Sequence, residues 1–373
     1  MLNITSGGMS GGYRKYLLKI VPRLAAHPQV QALLVGMPES VDFSQLRGAV
    51  PALEWLPLKC TLFTVAREID RCARKVIERF SPDVLFLPTA RYWSLDSIPV
   101  VNMVQNMKPM MLGYTAYRME WIKNRARFRQ MRKAVERSNR VVAISQFVKD
   151  YLTGELGVPE TKVGVVYHGI ELNCGQAEER PACIPEDGSG RFVFTAGAVY
   201  PYRGLEDLIE AWRLLRGLPG LPVLAIAGEV GNGMSRYYGR LNRLILKNKL
   251  DSHIRFMGVL TQSEMMWCYR NCSAFVMTSR VEACPNIALE AMANGSLCVS
   301  TENPPLPEVF QDAASYYPAG EPDRLAERIR EILGLPGEQQ RSIRDRACAR
   351  AACFSWESCC DRTVAELRKV VRG

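Results

Sequence analysis

The amino-acid sequence predicts an α/β protein with two Rossmann-like, doubly wound domains that face each other across a cleft. Short apolar runs alternate with helix-like stretches in both halves, which is the pattern of βα units in a parallel sheet. These runs are continuous rather than alternately polar, so the strands should be buried on both faces. The length of 373 residues suits two domains.

The first half of the chain shows this alternation less regularly than the second. Its predicted strands cover 32–35, 83–87, 100–104, 141–144 and 164–167. Its predicted helices cover 12–25, 62–79, 117–138 and 146–156. The stretch 171–190 is rich in glycine, proline and charge and has no periodicity, which is typical of a linker. We therefore predict an N-terminal domain over residues 1–175.

The second half alternates strands and helices more clearly. Predicted strands begin at Arg191, Pro222, Ile254, Ser273 and Leu297. Helical patterns cover 204–216, 233–249, 262–271, 286–295 and 322–333. The sequence therefore predicts a C-terminal domain over residues 191–354, followed by a helix at 355–373 that packs back on the N-terminal domain.

Composition narrows the function classes. Apolar residues make up 47% of the chain and charged residues 23%, which are ordinary values for a folded globular protein. No apolar run reaches the roughly 18 residues of a membrane-spanning helix. Because no secretory signal is apparent, we expect a cytoplasmic protein. The twelve cysteines lack CxxC pairs and there are three histidines, so we expect no metal site.

The segment 279–301, SRVEACPNIALEAMANGSLCVST, carries the most chemical information. Glu282 precedes a helix that should start at Asn286, with Asn286 as its N-cap, and Glu290 lies just past the first helical turn. The start of a helix directs backbone N–H groups and positive dipole outward, which favours a phosphate. The sequence therefore predicts a phosphate site with a carboxylate on each side.

This segment resembles the retaining glycosyltransferases of family 4, which carry a glutamate, seven residues and a second glutamate within a sequence like IALEAMANG. The resemblance implies the fold with two facing Rossmann-like domains that is called GT-B. It also implies that Glu282 contacts the donor sugar and that Glu290 binds the ribose hydroxyls. The backbone of Asn286, Ile287 and Ala288 would hold the donor diphosphate.

Two further segments of the second half resemble the same family in the same order. GAVYPYRGLEDLIEAW, from Gly197, looks like the segment that brings basic residues to the diphosphate, which makes Arg203 a catalytic candidate. It departs from the family pattern because Ala198 stands where an arginine is often found. In IRFMGVL, the backbone of Gly258, Val259 and Leu260 would contact the nucleobase.

The first half resembles the family at its first loop and at one strand end. SGGMSGG, with Gly8 and Gly11, looks like the glycine-rich loop opposite the donor diphosphate. VVNMVQNMKPM resembles a strand end that often reads QNMLPF, so Gln105 and Asn106 are candidates to line the cleft, with Asn106 near the reaction. Neither amide can act as a general base.

The segment 118–140 carries nine Lys or Arg residues against two Glu. On a helix, Trp121, Phe128, Met131 and Val135 form an apolar stripe beside the basic residues. This arrangement is typical of a helix that meets an anionic membrane surface or an anionic acceptor. A helix that packs its stripe in the core and exposes its basic side explains it equally well.

The resemblance implies a metal-independent, retaining transfer of a sugar from a nucleoside-diphosphate sugar to a glycan or lipid-linked glycan acceptor, without any cofactor. It suggests a role in polysaccharide, lipopolysaccharide or glycolipid assembly, at the inner face of the plasma membrane.

Two alternatives stay open. A nucleotide-dependent oxidoreductase would also use Rossmann domains, although neither half has a convincing GxGxxG turn with a later acid. A non-catalytic nucleotide- or nucleic-acid-binding protein would use the net charge of +10, but interleaved aromatic and basic motifs are missing, so no nucleic-acid partner is expected.

Overall fold

The computed structural model describes residues 1–4, 11–39, 44–50, 53–58, 71–95, 98–110, 113, 118–172, 177–184, 191–231 and 233–371. Contacts divide the chain into two compact units. The first unit contains residues 1–110, 122–169 and 355–373, and the second contains residues 111–121 and 170–354. The resemblance implies that the N-terminal domain lies on the acceptor side and that the C-terminal domain binds the donor, and these roles stay predictions.

Parallel strands form the centre of the first unit. They are β1 (Leu34–Pro38), β2 (Glu54–Leu58), β3 (Leu85–Leu87), β4 (Val100–Val104), β5 (Arg140–Ala143) and β6 (Val163–Val165). β1 pairs with β2, and β3 to β6 form a second sheet in chain order. Residues 1–4 connect the two sheets, because Leu2 donates its N–H to Phe86 O and Gly36 donates to Met1 O.

The helices of the first half and of the C-terminus surround these strands. They are α1 (Gly11–Ala26), α2 (Ser44–Ala49), α3 (Arg71–Phe80), α4 (Arg118–Arg137), α5 (Gln146–Asp150) and, at the end of the chain, α13 (Trp356–Arg368). α5 continues as a wider π-helical turn, Tyr151–Glu155. On α4, Met131 and Val135 of the predicted stripe are buried, Phe128 is half-buried, and Trp121 is exposed.

The second unit has one parallel sheet of six strands. They are β7 (Phe192–Ala196), β8 (Val223–Ala227), β9 (Ile254–Gly258), β10 (Ala274–Met277), β11 (Cys298–Thr301) and β12 (Ala314–Tyr317). Their order is β12-β11-β10-β7-β8-β9. The chain runs outward from β7 on one side and from β10 on the other, so these neighbours flank the switch point where ligands bind in such sheets.

Helices of the second unit connect these strands and cover the sheet. They are α6 (Leu205–Leu215), α7 (Ser235–Lys247), α8 (Gln262–Asn271), α9 (Asn286–Ala293), α10 (Leu306–Phe310), α11 (Pro322–Leu333) and α12 (Gly337–Ala352). Trp212 of α6, Leu241 of α7 and Ile329 of α11 pack into one buried cluster with the sheet. This core fixes the strands whose ends carry the candidate site.

The structure differs from the sequence prediction at several elements of the first half. β1 starts at Leu34 instead of residue 32, because burial begins there. β2 was not predicted, since Pro57 interrupts its apolar pattern. Among the described strands it pairs with β1 alone, and proline is tolerated at such an edge. The predicted helix at 62–79 is observed as Arg71–Phe80, and residues 59–70 lie outside the described part.

α13 is tied to the first unit by an aromatic cluster and by a buried ion pair. The His168 ring stacks on Tyr16 at 4.9 Å and on Trp356 at 5.9 Å between centroids. Glu366, which is 8% exposed, accepts hydrogen bonds from Arg140 of β5 and from Lys369 at 2.7 Å. Burial alone would raise the pKa of Glu366, but its bonds to Arg140 and Lys369 lower it.

We expect Glu366→Gln to lower the free energy of unfolding by about 3 kcal/mol, because it leaves a largely buried Arg140 without its charge partner. Glu357→Gln is the matched control on the same helix. Its pair with Arg23 is exposed on the Glu357 side, at 70%, so we expect a loss of at most about 1 kcal/mol. Urea unfolding of both variants measures the difference, and equal losses would contradict a structural role for the buried pair.

Candidate active site

The carboxyl ends of β7 and β10 enclose a small crevice in the second unit. Gly197 and Arg203 line it from the β7 side, and Met277, Thr278 and Ser279 line it from the β10 side. The two sides are adjacent because β7 and β10 pair in the sheet. The crevice therefore lies at the switch point of the six-stranded sheet.

A tight turn after β7 brings Arg203 into the crevice. Pro201–Arg203 form one turn of 3₁₀ helix, and Gly204 ends it with φ +63°. A Cβ at Gly204 would lie 2.4 Å from Thr278 O, so only glycine permits this approach to the β10 side. Thr278 Oγ1 donates to Arg203 O at 2.6 Å and fixes the turn.

Arg203, which lines the crevice, forms an ion pair with Glu282. Arg203 Nη1 donates to Glu282 Oε1 at 2.5 Å and to Ser279 Oγ at 3.1 Å. The side chains are only 17% and 14% exposed. Burial alone would lower the pKa of Arg203, but the Glu282 carboxylate raises it, so the guanidinium stays charged. Arg203 Nε is buried and has no hydrogen-bond partner among the described residues.

The backbone of Gly197 packs closely against the Arg203 guanidinium. Gly197 has φ +122°, and a Cβ there would lie 2.9 Å from Arg203 Cζ. On its other side, Arg203 lies over the Tyr202 ring at 5.5 Å from the centroid. The guanidinium is thus held between a glycine, an aromatic ring and a carboxylate.

The α9 helix starts at Asn286, as predicted, but its cap residue is not the predicted one. Pro285 occupies the cap position, without a side-chain hydrogen bond, and Asn286 is the first helical residue. The N-cap prediction for Asn286 is therefore wrong, because the extended backbone ends at Pro285. Ala288 N–H donates to Pro285 O at 3.0 Å. Among the three predicted backbone donors, this leaves Asn286 and Ile287 as those without an intrahelical acceptor.

Two consecutive residues of α8 hold Glu290, Tyr269 directly and Arg270 through Asn294. Tyr269 donates its hydroxyl to Glu290 Oε2 at 3.0 Å, and Tyr269 is 1% exposed. Arg270 Nε donates to Asn294 Oδ1 at 3.0 Å, and Asn294 Nδ2 donates to Glu290 O at 2.9 Å. Burial and the Glu290 charge raise the pKa of Tyr269 well above its usual range, so the phenol stays protonated.

The remaining predicted donor-binding residues follow β9. Gly258 ends this strand with φ +69° and accepts a hydrogen bond from Gly228 N at 2.7 Å. Val259 is 74% exposed and Leu260 is half-buried. These residues lie at the carboxyl end of β9, which is the edge strand next to β8 on the side of the sheet away from β10.

The predicted residues of the first half lie in or near the first unit. Asn106 follows β4, is exposed, and accepts a hydrogen bond from Lys108 N at 2.9 Å. Gln105 donates to Pro88 O at 3.1 Å. Gly11 is the first residue of α1, and Gly8 lies outside the described residues. Their roles stay predictions.

Sequence reasoning missed the residues that hold the site in place. Tyr269 lies on a helix that precedes the glutamate motif, and only the fold brings its hydroxyl to Glu290. Arg280 was missed too, although it belongs to the motif segment. It donates to Asp207 Oδ1 at 2.6 Å and its N–H donates to Tyr202 O at 2.7 Å, which ties the Arg203 turn to the loop of Glu282.

Comparison with known families matches both halves of the chain. Residues 10–173 match the profile described as glycosyltransferase family 4, and residues 177–350 match glycosyl transferases group 1. The chain belongs to glycosyltransferase family 4. This assignment confirms the resemblance drawn from the two glutamates and their flanking sequence.

Relatives of this family 4 chain include two proteins named D-inositol 3-phosphate glycosyltransferase. The one from Segniliparus rotundus is 26% identical over 247 residues, which are 64% of this chain and 54% of the relative. The one from Mycobacterium bovis BCG Pasteur is 25% identical over 223 residues, which are 58% of this chain and 45% of the relative. The chain thus spans about half the length of these relatives.

Solved structures similar to this family 4 chain share its whole fold. HepE of Anabaena, in complex with UDP and glucose, has a TM-score of 0.74 at 17% identity, covering 99% of both chains. Sucrose-phosphate synthase of Thermosynechococcus elongatus has a TM-score of 0.74 at 16% identity, covering 99% of this chain and 98% of the other. The predicted GT-B fold, with its two α/β domains, is confirmed.

Proposed function

We propose that this protein is a retaining glycosyltransferase that moves a sugar from a nucleoside-diphosphate sugar to an acceptor hydroxyl. The observation that carries this proposal is the ion pair of Arg203, which lines the crevice at the switch point, with Glu282, which precedes the start of α9 by four residues. A guanidinium and helix N–H groups bind phosphate oxygens, and a carboxylate accepts hydrogen bonds from sugar hydroxyls. Family membership and the UDP bound to HepE support a nucleotide-sugar donor.

The Arg203–Glu282 pair gives each group a role in the transfer. A donor diphosphate would compete with Glu282 for Arg203, and the released carboxylate would accept hydroxyls of the transferred sugar. As the bond from the anomeric carbon to the phosphate oxygen breaks, negative charge grows on the diphosphate beside Arg203. The acceptor oxygen then bonds to the anomeric carbon on the same face, and its proton passes to the leaving phosphate.

This scheme needs no residue that acts as a general base. It therefore agrees with amides at Gln105 and Asn106, since an amide cannot act as a base. The scheme also runs without a metal ion or cofactor. Among the described residues, no group of His, Cys, Asp or Glu is arranged to hold a metal. Metal independence is tested by turnover in the presence of a chelator.

Glu290 would read the donor ribose, with Tyr269 as a positioning residue. The Tyr269 hydroxyl occupies one side of the carboxylate at 3.0 Å, which restricts the directions in which Glu290 can accept hydrogen bonds. Backbone of Gly258 to Leu260 would contact the base. Uridine is the first base to test, because HepE binds UDP and UDP-glucose.

The acceptor would be a glycan or lipid-linked glycan, in polysaccharide, lipopolysaccharide or glycolipid assembly at the inner face of the plasma membrane. In the described part of the chain, no helix is both apolar enough and long enough to cross a bilayer.

α4 offers a peripheral contact with the membrane surface. Arg118, Arg125, Arg129 and Lys133 lie on one exposed face, and Ile122 on the same face is 48% exposed. We call these five residues the basic face of α4, and propose that it contacts anionic lipid.

Turnover and nucleotide binding test the transferase proposal. With a UDP α-linked sugar and no added metal, proton NMR should show a product that keeps the α configuration. An inverted product would overturn the retaining mechanism. No binding of any nucleoside diphosphate would overturn the proposal as a whole.

The role of Glu290 predicts a preference for ribose over dideoxyribose. We expect Glu290→Gln to weaken UDP binding about tenfold while 2′,3′-dideoxy-UDP binding stays unchanged, since a charge-assisted hydrogen bond contributes about 1.5–3 kcal/mol. Tyr269→Phe keeps the ring and should reduce the ratio of UDP affinity to dideoxy-UDP affinity about threefold. Calorimetry measures both affinities.

Tyr237→Phe is the matched control, because Tyr237 is buried in the same unit and donates to Glu206 at 2.7 Å. It should leave the ribose preference unchanged. Equal weakening of UDP and dideoxy-UDP binding by Tyr269→Phe would show a merely structural role for that hydroxyl.

The basic face of α4 predicts binding to anionic vesicles. Arg129→Glu with Lys133→Glu should weaken binding to phosphatidylglycerol vesicles at least about tenfold, because each basic residue contributes about 1 kcal/mol. Arg243→Glu with Lys247→Glu on α7 makes the same charge change in the second unit and should have little effect. Vesicle sedimentation compares them, and equal losses would indicate non-specific attraction.

A further inference from the structure

A second polar cluster lies in the first unit, at the carboxyl end of β3 and beside the middle residue of β4, Asn102, which pairs with Leu87. We call Thr89, Arg91, Asn102, Asn124 and Arg127 the Arg91 cluster. Asn102 of β4 donates to Arg91 O at 2.5 Å, and Arg127 of α4 donates to Asn124 Oδ1 at 3.3 Å. Asn102 and Asn124 are fully buried, whereas Arg91 and Thr89 are half-buried and Arg127 is exposed. The cluster thus has a buried base and an open side.

Several polar atoms of the Arg91 cluster have no partner. Arg91 Nη1, Asn124 Nδ2, Thr89 Oγ1 and Asn102 Oδ1 are buried and make no hydrogen bond within the described structure. Three of these atoms can donate. A buried donor without an acceptor costs about 1–3 kcal/mol, and several rarely occur together in a folded domain. Their grouping points to a ligand that brings acceptor oxygens.

The charge of the cluster points in the same direction. Burial lowers the pKa of Arg91, and the positive charge of Arg127 lowers it further. Other arginines of this unit have carboxylate partners, such as Arg132 with Glu136 at 2.7 Å and Arg23 with Glu357 at 2.9 Å. Arg91 and Arg127 repel each other, and neither pairs with a carboxylate among the described residues. An anion between the two arginines would accept hydrogen bonds from the unpaired donors and would remove the repulsion between the two positive charges.

We propose that the Arg91 cluster is an oxyanion subsite that binds a phosphoryl group carried by the acceptor. A phosphate has three oxygens, enough for two guanidinium groups and the Asn124 amide, and arginine forks bind phosphate well. The carboxyl ends of parallel strands are also where open α/β sheets bind ligands. That the phosphate belongs to the acceptor rests on the proposed function, whereas oxyanion binding itself does not.

Calorimetry with glycerol phosphate as the probe tests this subsite on the whole protein. We expect Arg127→Gln to weaken glycerol phosphate binding about tenfold or more. Arg132→Gln removes the same charge from the same helix and should leave binding unchanged. Glycerol, which lacks the phosphate, should not bind. Undiminished binding by Arg127→Gln, or equal weakening by Arg132→Gln, would overturn the proposal.

A second variant keeps the test independent of exposed charge. Asn124→Asp replaces the buried amide donor by a carboxylate beside Arg127, which would repel a bound phosphate, so it should abolish glycerol phosphate binding while circular dichroism shows the native fold. Binding that persists in this variant would overturn the assignment of Asn124 to the subsite.

Two further arms identify the source of the phosphate and separate this proposal from the proposed function. Binding of phosphatidic acid vesicles that depends on Arg127, compared with phosphatidylcholine, would support a lipid phosphate, and binding of glycerol phosphate alone would support a soluble ester. UDP affinity should be the same in Arg127→Gln and in the unaltered protein. UDP binding without glycerol phosphate or phosphatidic acid binding would refute the subsite alone. The reverse result would refute the proposed function, and with it the assignment of the phosphate to an acceptor, but would leave the oxyanion site standing.

Discussion

The buried ion pair between Arg203 and Glu282 is the interaction around which the second unit is arranged. The two residues are 79 positions apart in the chain, yet their side chains meet at 2.5 Å. They meet because β7 and β10 are neighbours in the sheet, although β8 and β9 lie between them in the chain. Burying two charges costs free energy, which their attraction offsets only when the geometry is good. A donor that takes Arg203 as its partner must therefore also offer hydrogen bonds to Glu282, because a buried charge left without a partner costs free energy.

Small residues and hydrogen bonds around this pair hold it in one geometry. Gly197 and Gly204 leave room for the Arg203 turn to approach β10, and Arg280 connects the same turn to Asp207. Burial raises the pKa of Asp207, while the bonds from Gly320 and Arg280 act against this. Tyr269 of α8 donates to the Glu290 carboxylate, and Arg270 holds Asn294, which donates to Glu290 O. The candidate site is thus held by residues that would not themselves contact a donor.

The sequence predicted the second unit better than the first for physical reasons. Continuous apolar strands and amphipathic helices predicted 262–271 and 322–333 with the bounds observed for α8 and α11. β2 was missed because edge strands tolerate proline and need only one buried face. α12 was missed because its buried side chains, Ala347 and Ala351, give hardly any apolar periodicity.

The site shows the same limit. Glu282, Glu290 and Arg203 could be found because their chemistry lies in short segments that resemble a known family. Tyr269 and the Arg91 cluster could not, since their significance comes from contacts between distant segments. Asn102 sits inside the apolar strand VVNMV, and nothing in that pattern shows that its amide is buried next to an arginine.

The account depends most on Arg203 as the partner of the donor diphosphate, and calorimetry of UDP and uridine with Arg203→Gln tests this most directly. The account predicts that UDP affinity falls at least about tenfold while uridine affinity does not change, because the lost guanidinium would contact only phosphate. If Arg203→Gln binds UDP as tightly as the unaltered protein, the diphosphate does not lie at the switch point between β7 and β10. The central claim would then be wrong.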